Sequence, residues 1–216
     1  MKKYLFIFLL CLIIWPLTAQ DEVKEGFNKF FYPNGQVSSE GIIREGKPDG
    51  YWRTYYVTGI LKSEGLRTNF QLDSTWTFYN QSGNVEERID YKYGKRNGYS
   101  FKYSYVNSLQ AVVISKELFV NDKKEGKAYY YYPNGNLKEE VSYSNGKKQG
   151  SGKEYDEKSN VITIFEHHNN YLISRQRINR NDSQGRKQGS WMEFYTSGKI
   201  KKEMTYVDDL LYGLYK

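Results

Sequence analysis

The chain has 216 residues, of which 17% are aromatic and 38% hydrophobic, and its formal net charge at pH 7 is +7. Tyrosine and glycine are abundant, whereas aliphatic side chains are too scarce for a large globular core. The one cysteine, Cys11, excludes a framework of disulfide bonds.

The N-terminal segment has the pattern of a secretory signal. Lys2 and Lys3 precede an apolar run from Tyr4 to Trp15, and a small residue, Ala19, follows. We expect residues 1–19 to be a cleaved signal peptide, because about twelve apolar residues fall short of the ~20 that a membrane span needs. The alternative is a retained membrane anchor. Export would place the mature chain in the periplasm, at the outer membrane or outside a bacterial cell.

From residue 26 onwards the sequence repeats with a period of 24 residues. The fourth unit carries four extra residues and the sixth carries fifteen. Residues 20–216 are therefore expected to form a single domain of repeats. The seven units begin at Gly26, Gly50, Ser74, Gly98, Gly126, Gly150 and Gly189.

Three columns of similar residues support this register. Five places after the starts stand the repeat aromatics Phe31, Tyr55, Tyr79, Tyr103, Tyr131, Tyr155 and Phe194. Nine places after five of the starts stand the turn glycines Gly35, Gly59, Gly83, Gly135 and Gly198. Eleven places after the starts stand the aliphatic residues Val37, Leu61, Val85, Leu109, Leu137, Val161 and Ile200. If the four extra residues of the fourth unit lie in its turn, Val113 replaces Leu109 in this last column.

Each unit is expected to be a β-hairpin. The sequence Tyr-Pro-Asn-Gly at 32–35 and 132–135 suits a type I turn followed by a left-handed glycine. After the turn, residues 137–143 place apolar and polar side chains on opposite faces, which is typical of a half-buried antiparallel strand. Basic loops bracketed by glycine are expected to link the units, at 46–50, 94–98, 146–150 and 185–189.

The predicted fold is all-β, an elongated antiparallel sheet of repeated β-hairpins in seven units of 24 residues. Because neighbouring strands lie ~4.8 Å apart, the repeat aromatics can pack as a ladder along the sheet. We expect Trp52, Trp76 and Trp191, two places after their starts, to add to this ladder. A ring in every unit favours a structural role for this column over the alternative, a platform on which sugars or bases stack.

Few residues have the type and spacing that catalysis or metal binding requires. His167 and His168 are neighbours, which point to opposite faces of a strand and are poorly placed to chelate one metal. Glutamates recur fourteen places after four of the starts, and cross-strand charge pairs explain them better than paired catalytic carboxylates do. We expect no catalytic, metal-binding or cofactor-binding residue, and no enzymatic activity. The glutamates are Glu40, Glu64, Glu140 and Glu203.

The extra residues of the sixth unit are the candidate contact site, because an insertion in a repeat usually forms a loop on one face. Residues 161–165 and 171–174 bracket Asn169 and Asn170 and are expected to form an additional hairpin, followed by a polar connection at 179–188. The alternative is a neutral insertion. The candidate partner-contact residues are His167, His168, Tyr171, Arg175, Arg177 and Arg180.

The repeated pattern of two aromatic residues, then Gly-x-aliphatic-x-x-Glu and Gly-Lys-x-x-Gly, resembles the bacterial variant of the MORN repeat. The clearest copies are at 31–37, 52–61, 131–137 and 191–200. The resemblance implies repeated hairpins in an elongated sheet, without catalytic residues. It also implies an antitoxin-like protein, since many bacterial members are described as components of toxin–antitoxin systems.

These observations favour an exported, non-catalytic repeat scaffold that mediates protein–protein interaction at the cell envelope, with another protein as its partner. One alternative is an antitoxin or immunity-type protein that neutralises a partner toxin. Another is a binder of anionic lipid or glycan that uses the basic turns. Lysines in those turns also have a simpler explanation, because they keep exposed sheet edges from pairing. Nucleic acid is not expected as a partner of an exported protein.

Overall fold

The computed structural model describes residues 24–107 and 110–213, so the predicted signal peptide at 1–19 lies outside the described residues. Within these ranges the chain forms β-strands joined by turns and contains no helix, which confirms the predicted all-β fold. The strands are β1 (Gly26–Phe31), β2 (Val37–Arg44), β3 (Lys47–Tyr55), β4 (Leu61–Thr68), β5 (Gln71–Tyr79), β6 (Val85–Lys92), β7 (Lys95–Asn107), β8 (Gln110–Val120), β9 (Lys123–Lys124), β10 (Gly126–Tyr131), β11 (Leu137–Ser144), β12 (Lys147–Tyr155), β13 (Val161–His168), β14 (Tyr171–Arg177), β15 (Arg180–Asn181), β16 (Lys187–Phe194), β17 (Ile200–Val207) and β18 (Leu210–Leu211).

Two antiparallel sheets account for these strands. The first has 14 strands, and from β1 to β14 their order in space follows the chain, with the short β9 pairing beside β8. The second has four strands, in the order β15-β16-β17-β18. Each hairpin of the first sheet therefore stacks directly on the hairpin before it, as expected for a repeat array.

Six of the seven in-unit hairpins close with the same turn, and residues 108 and 109, which join β7 to β8 in the fourth unit, lie outside the described residues. In the first, the Tyr32 amide donates to the Gln36 carbonyl at 2.8 Å, and the Gly35 amide donates to the Tyr32 carbonyl at 2.9 Å. The turn glycines have φ between +81° and +85°, a left-handed conformation that glycine adopts without strain. These glycines are Gly35, Gly59, Gly83, Gly135 and Gly198.

A bulge next to each turn places the ring and aliphatic columns opposite one another. Tyr55 pairs with Leu61, and the corresponding residues of the other units pair in the same way. In the fourth unit Tyr103 pairs with Val113, so Val113 and not Leu109 occupies the column. The four extra residues lengthen that hairpin, whose strands β7 and β8 have 13 and 11 residues.

The connections between units are tighter than the predicted basic loops. Glu45 and Gly46 both have positive φ, and β3 begins immediately afterwards at Lys47, so most of 46–50 is strand. Two successive left-handed residues match the twist of the flanking strands, which is why such turns are favoured in hairpins. The predicted loop at 185–189 differs from these tight connections. Its first residues belong to a turn like the one at 32–36, in which the Asp182 amide donates to the Arg186 carbonyl.

The buried residues lie mainly on one face of the first sheet, which we call the core face. Along it, large side chains alternate with small ones on neighbouring strands: Trp52 lies against Gly41, Trp76 against Gly65, and Phe165 against Gly152. A Cβ atom on any of these glycines would overlap the ring, so glycine is what allows the rings to lie on the sheet. The buried apolar residues are Ile43, Trp52, Trp76, Ile89, Phe119, Ala128, Val141, Phe165, Ile178, Met192 and Met204.

The tryptophans do not join the ladder of repeat aromatics, contrary to the prediction. Trp52 and Tyr55 are three residues apart on β3, and side chains alternate along a strand, so the two rings lie on opposite faces. The repeat aromatics occupy the other face, which we call the exposed face. They are half-buried there, except for Phe31, which is exposed.

The sixth unit contains the predicted additional hairpin, formed by β13 and β14 around Asn169 and Asn170. The chain then leaves the first sheet at Ile178 and Asn179. Ile178 is fully buried, and its amide donates to the Ile162 carbonyl of β13, whereas the Asn179 amide donates to the Ser190 carbonyl of β16. These two residues therefore connect the two sheets.

Candidate functional site

A row of alternating charges crosses the first four strands on the exposed face. The Lys29 Nζ lies 3.1 Å from a carboxylate oxygen of Glu40, which pairs across the strands with Arg53. Arg53 in turn lies 3.2 Å from Glu64. The predicted cross-strand charge pairs are therefore present here, with Lys29 and Arg53 as the partners of the glutamates.

Two of the repeat aromatics donate hydrogen bonds into this row. The Tyr55 hydroxyl donates to Glu40 at 2.6 Å, and the Tyr79 hydroxyl donates to Glu64 at 2.7 Å. Burial and these carboxylates raise the pKa of each phenol to about 12. The hydrogen bonds from Tyr55 and Lys29 hold the pKa of Glu40 below its usual value. Each ring thus joins its own unit to the unit before it.

Of the remaining repeat aromatics, Phe31 is exposed and the other four are half-buried. The Arg88 guanidinium lies 5.7 Å from the ring of Tyr103, and Lys153 lies 4.1 Å from the ring of Phe194. Burial raises the pKa of Tyr131, and it raises that of Tyr155 to about 12. The two cation contacts stabilise the sheet.

An exposed apolar row runs beside the charged row. It consists of Phe27, Ile42, Tyr51 and Leu66, one from each of β1 to β4, and their exposed fractions are 64%, 39%, 48% and 37%. Phe27 pairs with Ile42, and Tyr51 pairs with Leu66. In the third unit the corresponding pair is Thr75 and Asp90, so the row ends at β4.

The candidate contact residues of the sixth unit divide into two groups. Tyr171, Arg175 and Arg177 lie on β14, in which every residue is exposed. Arg175, Arg177 and Arg180 line one cleft of about 260 Å³ together with Glu154, Ile162 and Thr163. Glu154 accepts two hydrogen bonds from Arg175, at 2.8 and 2.9 Å. The structure thus brings the three arginines together.

The two histidines do not join this cluster. The His167 ring packs edge-on against Phe165 at 5.2 Å, and burial together with nearby Lys148 lowers its pKa. His168 is exposed and its ring hydrogen-bonds with Gln149 and Asn169 beside the turn. Their side chains therefore support the β13–β14 hairpin, one on each face.

A cleft of about 420 Å³ lies where the two sheets meet. Its polar lining is already engaged: Asp156 accepts hydrogen bonds from the amides of Lys158 and Asn160, and Lys187 lies 4.7 Å from the ring of Trp191. Burial acts to raise the pKa of Asp156, but the hydrogen bonds from Asn160 and Lys158 outweigh it and lower the pKa. A carboxylate held in its charged form by its own turn is poorly suited to donate a proton.

Glu117 is a buried carboxylate on the core face of β8. Lys124 lies 2.6 Å from one of its oxygens, and the Tyr130 hydroxyl donates to the same oxygen at 2.8 Å. Burial and this carboxylate raise the pKa of Tyr130. The group is a satisfied structural cluster, since its charge is paired and hydrogen-bonded.

Sequence reasoning missed a second set of tyrosines that join the units. The hydroxyls of Tyr32, Tyr56 and Tyr132 each donate to the backbone carbonyl of the repeat aromatic in the next unit, at 2.7–2.8 Å. Their signal was in the sequence, because all three stand six places after their starts.

Two further features concern metals and membranes. Among residues 24–107 and 110–213, no three His, Cys, Asp or Glu side chains converge in a group that could hold a metal ion. Within those same ranges, no helix has the length and apolar character needed to cross a membrane.

The hairpins coincide with matches to known repeats. The family described as MORN repeat variant matches residues 24–42, 72–93, 124–145 and 187–208. These segments coincide, to within two residues at each end, with the hairpins β1–β2, β5–β6, β10–β11 and β16–β17. This chain is a MORN-repeat protein. The family described as MORN repeat also matches residues 142–161, and no curated protein matches the chain.

The MORN matches indicate what kind of role the hairpin units have. MORN repeats suggest a repeat scaffold for protein or lipid binding, and MORN-repeat proteins are generally non-catalytic. In this MORN protein the repeats form an open sheet, of which one face carries the core and the other carries the charged and apolar rows.

Proposed function

We propose that this MORN protein is an exported, non-catalytic scaffold that binds another protein at the cell envelope. The observation that carries the proposal is the exposed apolar row of Phe27, Ile42, Tyr51 and Leu66. Apolar side chains exposed side by side and rimmed by polar groups mark interaction sites in soluble proteins. The adjacent charges from Lys29 to Glu64 would orient the partner.

Export rests on the N-terminal pattern of Lys2, Lys3 and the apolar run that follows. An envelope partner is consistent with this pattern, whereas a cytoplasmic toxin is not. If the partner is a toxin met outside the cytoplasm, the scaffold is an immunity-type protein. A toxin gene beside the gene for this chain would favour that form of the proposal.

Capture of the partner tests the proposal. The tagged full-length chain is incubated with envelope extract from its own cells, and retained proteins are identified by mass spectrometry. We expect one protein to be retained by the wild type and lost from a Tyr51→Ser, Leu66→Ser double variant. The matched control is Val57→Ser, another exposed apolar residue, which lies in a turn outside the row.

Two results would reject the proposal. One is equal retention by the wild type and the double variant, because binding would then not use the apolar row. The other is no protein retained above the level of an untagged control. Circular dichroism checks that the double variant keeps its β-sheet spectrum.

A further inference from the structure

β14 is an edge strand with an open backbone. It is the last strand of the 14-stranded sheet and, within residues 24–107 and 110–213, pairs with β13 alone. All seven of its residues are exposed. An edge strand presents unpaired amide and carbonyl groups along its outer side, and another chain can pair with them.

The junction between the sheets keeps this edge open. The side chain of Asn179 holds β16 at the end of β14, because its Nδ2 donates to Val161 at 3.0 Å and to Met192 at 3.1 Å, while its Oδ1 accepts from the Met192 amide at 2.7 Å. In the described part of the chain, β16 pairs only with β15 and β17. In a regular unit β16 would pair with β14 as the second strand of a hairpin. Here β16 belongs to the second sheet instead.

The side chains of β14 differ at its two ends. The first three, Tyr171, Leu172 and Ile173, are large, apolar and 76%, 52% and 62% exposed. Arg175 and Arg177 follow and share the core face, as shown by their pairing with Phe165 and Thr163. Arg180 lines the same cleft as these two arginines, and Glu154 is the one acidic residue in its lining.

We propose that β14 binds an extended segment of the partner protein as an additional antiparallel strand. This inference rests on the proposed scaffold function and adds to the apolar row a second contact, at the other end of the sheet, for one extended segment of the same partner. Every strand pair in the described sheets is antiparallel, so the N-terminal end of the segment lies opposite Arg177 and its C-terminal end lies opposite Tyr171. Charge and apolar complementarity require a segment that is acidic first and apolar afterwards.

A designed peptide tests this assignment directly. The probe is the fluorescein-labelled octapeptide Glu-Thr-Glu-Thr-Val-Thr-Val-Thr, and the control is the same sequence reversed. The first places acidic residues opposite Arg177 and Arg175 and valines opposite Ile173 and Tyr171. By fluorescence anisotropy with the full-length chain, we expect the reversed peptide to bind at least tenfold more weakly.

Variants of the chain separate the site from general electrostatic attraction. Arg177→Glu should weaken binding of the probe at least tenfold, and a probe with lysine in place of glutamate should recover affinity for this variant. Lys102→Glu, the matched control, changes the same charge at an exposed position on β7 and should leave the affinity within twofold. Arg177 is exposed, so its replacement is compatible with folding.

Several outcomes would overturn the inference. They are equal affinity for both peptides, no effect of Arg177→Glu, no binding of either peptide, or binding only of phosphatidylglycerol vesicles, which would make the cleft a lipid site. A dimer cross-linked through β14 would also overturn it, because a second copy would then occupy the edge. The capture experiment is independent of the peptide, so capture without peptide binding rejects the β14 site and leaves the scaffold function standing.

Discussion

At the scale of single residues, the core depends on glycines that a ring covers. The ring of Trp76 lies over Gly65, and its Nε1 donates to the Leu66 carbonyl at 2.8 Å, which fixes the ring in place. A Cβ on Gly65 would lie 2.4 Å from the ring, and the φ of Gly65 is not in the left-handed region. We therefore expect Gly65→Ala to lower the free energy of unfolding by about 1–3 kcal/mol through overpacking alone, as measured by urea denaturation.

A double-mutant cycle provides the control for this prediction. In a Trp76→Ala background the ring is gone, so adding Gly65→Ala should cost little further stability. If Gly65→Ala costs the same in both backgrounds, the contact between this glycine and the ring does not limit the packing.

Glu64 gives the stability a defined dependence on pH. Burial acts to raise its pKa, but hydrogen bonds from Tyr79, Tyr51 and Arg53 outweigh it and lower the pKa from its usual 4.5. A lowered pKa in the folded state contributes stability above pH 4.5, and this contribution disappears as the pH falls through the folded value. We expect the Tm of Glu64→Gln to lie below that of the wild type at pH 7.

The difference in Tm between wild type and Glu64→Gln should shrink below pH 4.5 and vanish in stronger acid. Thermal scans from pH 7 to pH 2 measure it. The control is Glu86→Gln, which changes an exposed glutamate on the adjacent hairpin. A difference in Tm between wild type and Glu64→Gln that stays constant down to pH 2 would contradict the assigned hydrogen bonds to Glu64.

At the scale of the element, the hairpin turn depends on the backbone conformation of its glycine. Gly135 has a φ of +85°, and a Cβ there would meet no atom within 4 Å. Gly135→Val should therefore destabilise through backbone strain, by about 1–2 kcal/mol. Gly135→Asn is the control, because asparagine tolerates the left-handed region and should cost less. Equal chemical denaturation midpoints for the two variants would show that the turn has another geometry.

The second tyrosine set joins each hairpin to the next. The Tyr132 hydroxyl donates to the Tyr155 carbonyl at 2.8 Å, so Tyr132→Phe should lower the free energy of unfolding by about 1 kcal/mol. Tyr195 stands at the same place in the last unit, where it is exposed. Tyr195→Phe should be neutral in the same denaturation assay. A neutral Tyr132→Phe would mean that this bond does not hold the units together.

The hairpins could be predicted from the sequence because their signals are local. Gly35 and its equivalents, the rings and the aliphatic residues recur at a fixed spacing, and each feature acts within a few residues. The linking turns were harder to predict, because pairs as different as Glu45-Gly46 and Asn69-Phe70 adopt the same left-handed geometry. The face on which Trp52 lies could have been predicted from the sequence, because side chains alternate along β3 and Trp52 is three residues from Tyr55.

The candidate site was only partly predictable for a different reason. The sequence indicated the insertion and its arginines, but the open edge of β14 depends on where the chain changes sheets. That point is set by the side chain of Asn179, whose partners Val161 and Met192 are distant in sequence. The apolar row was also missed, because residues as distant in sequence as Phe27 and Leu66 enter one row only when the strands pair.

At the scale of the whole molecule, the central claim is that hairpins stack side by side into one sheet. A distance measurement between spin labels tests it most directly, using Lys62→Cys and Lys138→Cys in a Cys11→Ser background. Both lysines are exposed and occupy the same place in their hairpins, and six strand steps separate β4 from β11. At ~4.8 Å per step the account predicts one narrow distribution near ~29 Å between the backbones. A broad distribution, or one centred at less than half that distance, would contradict it.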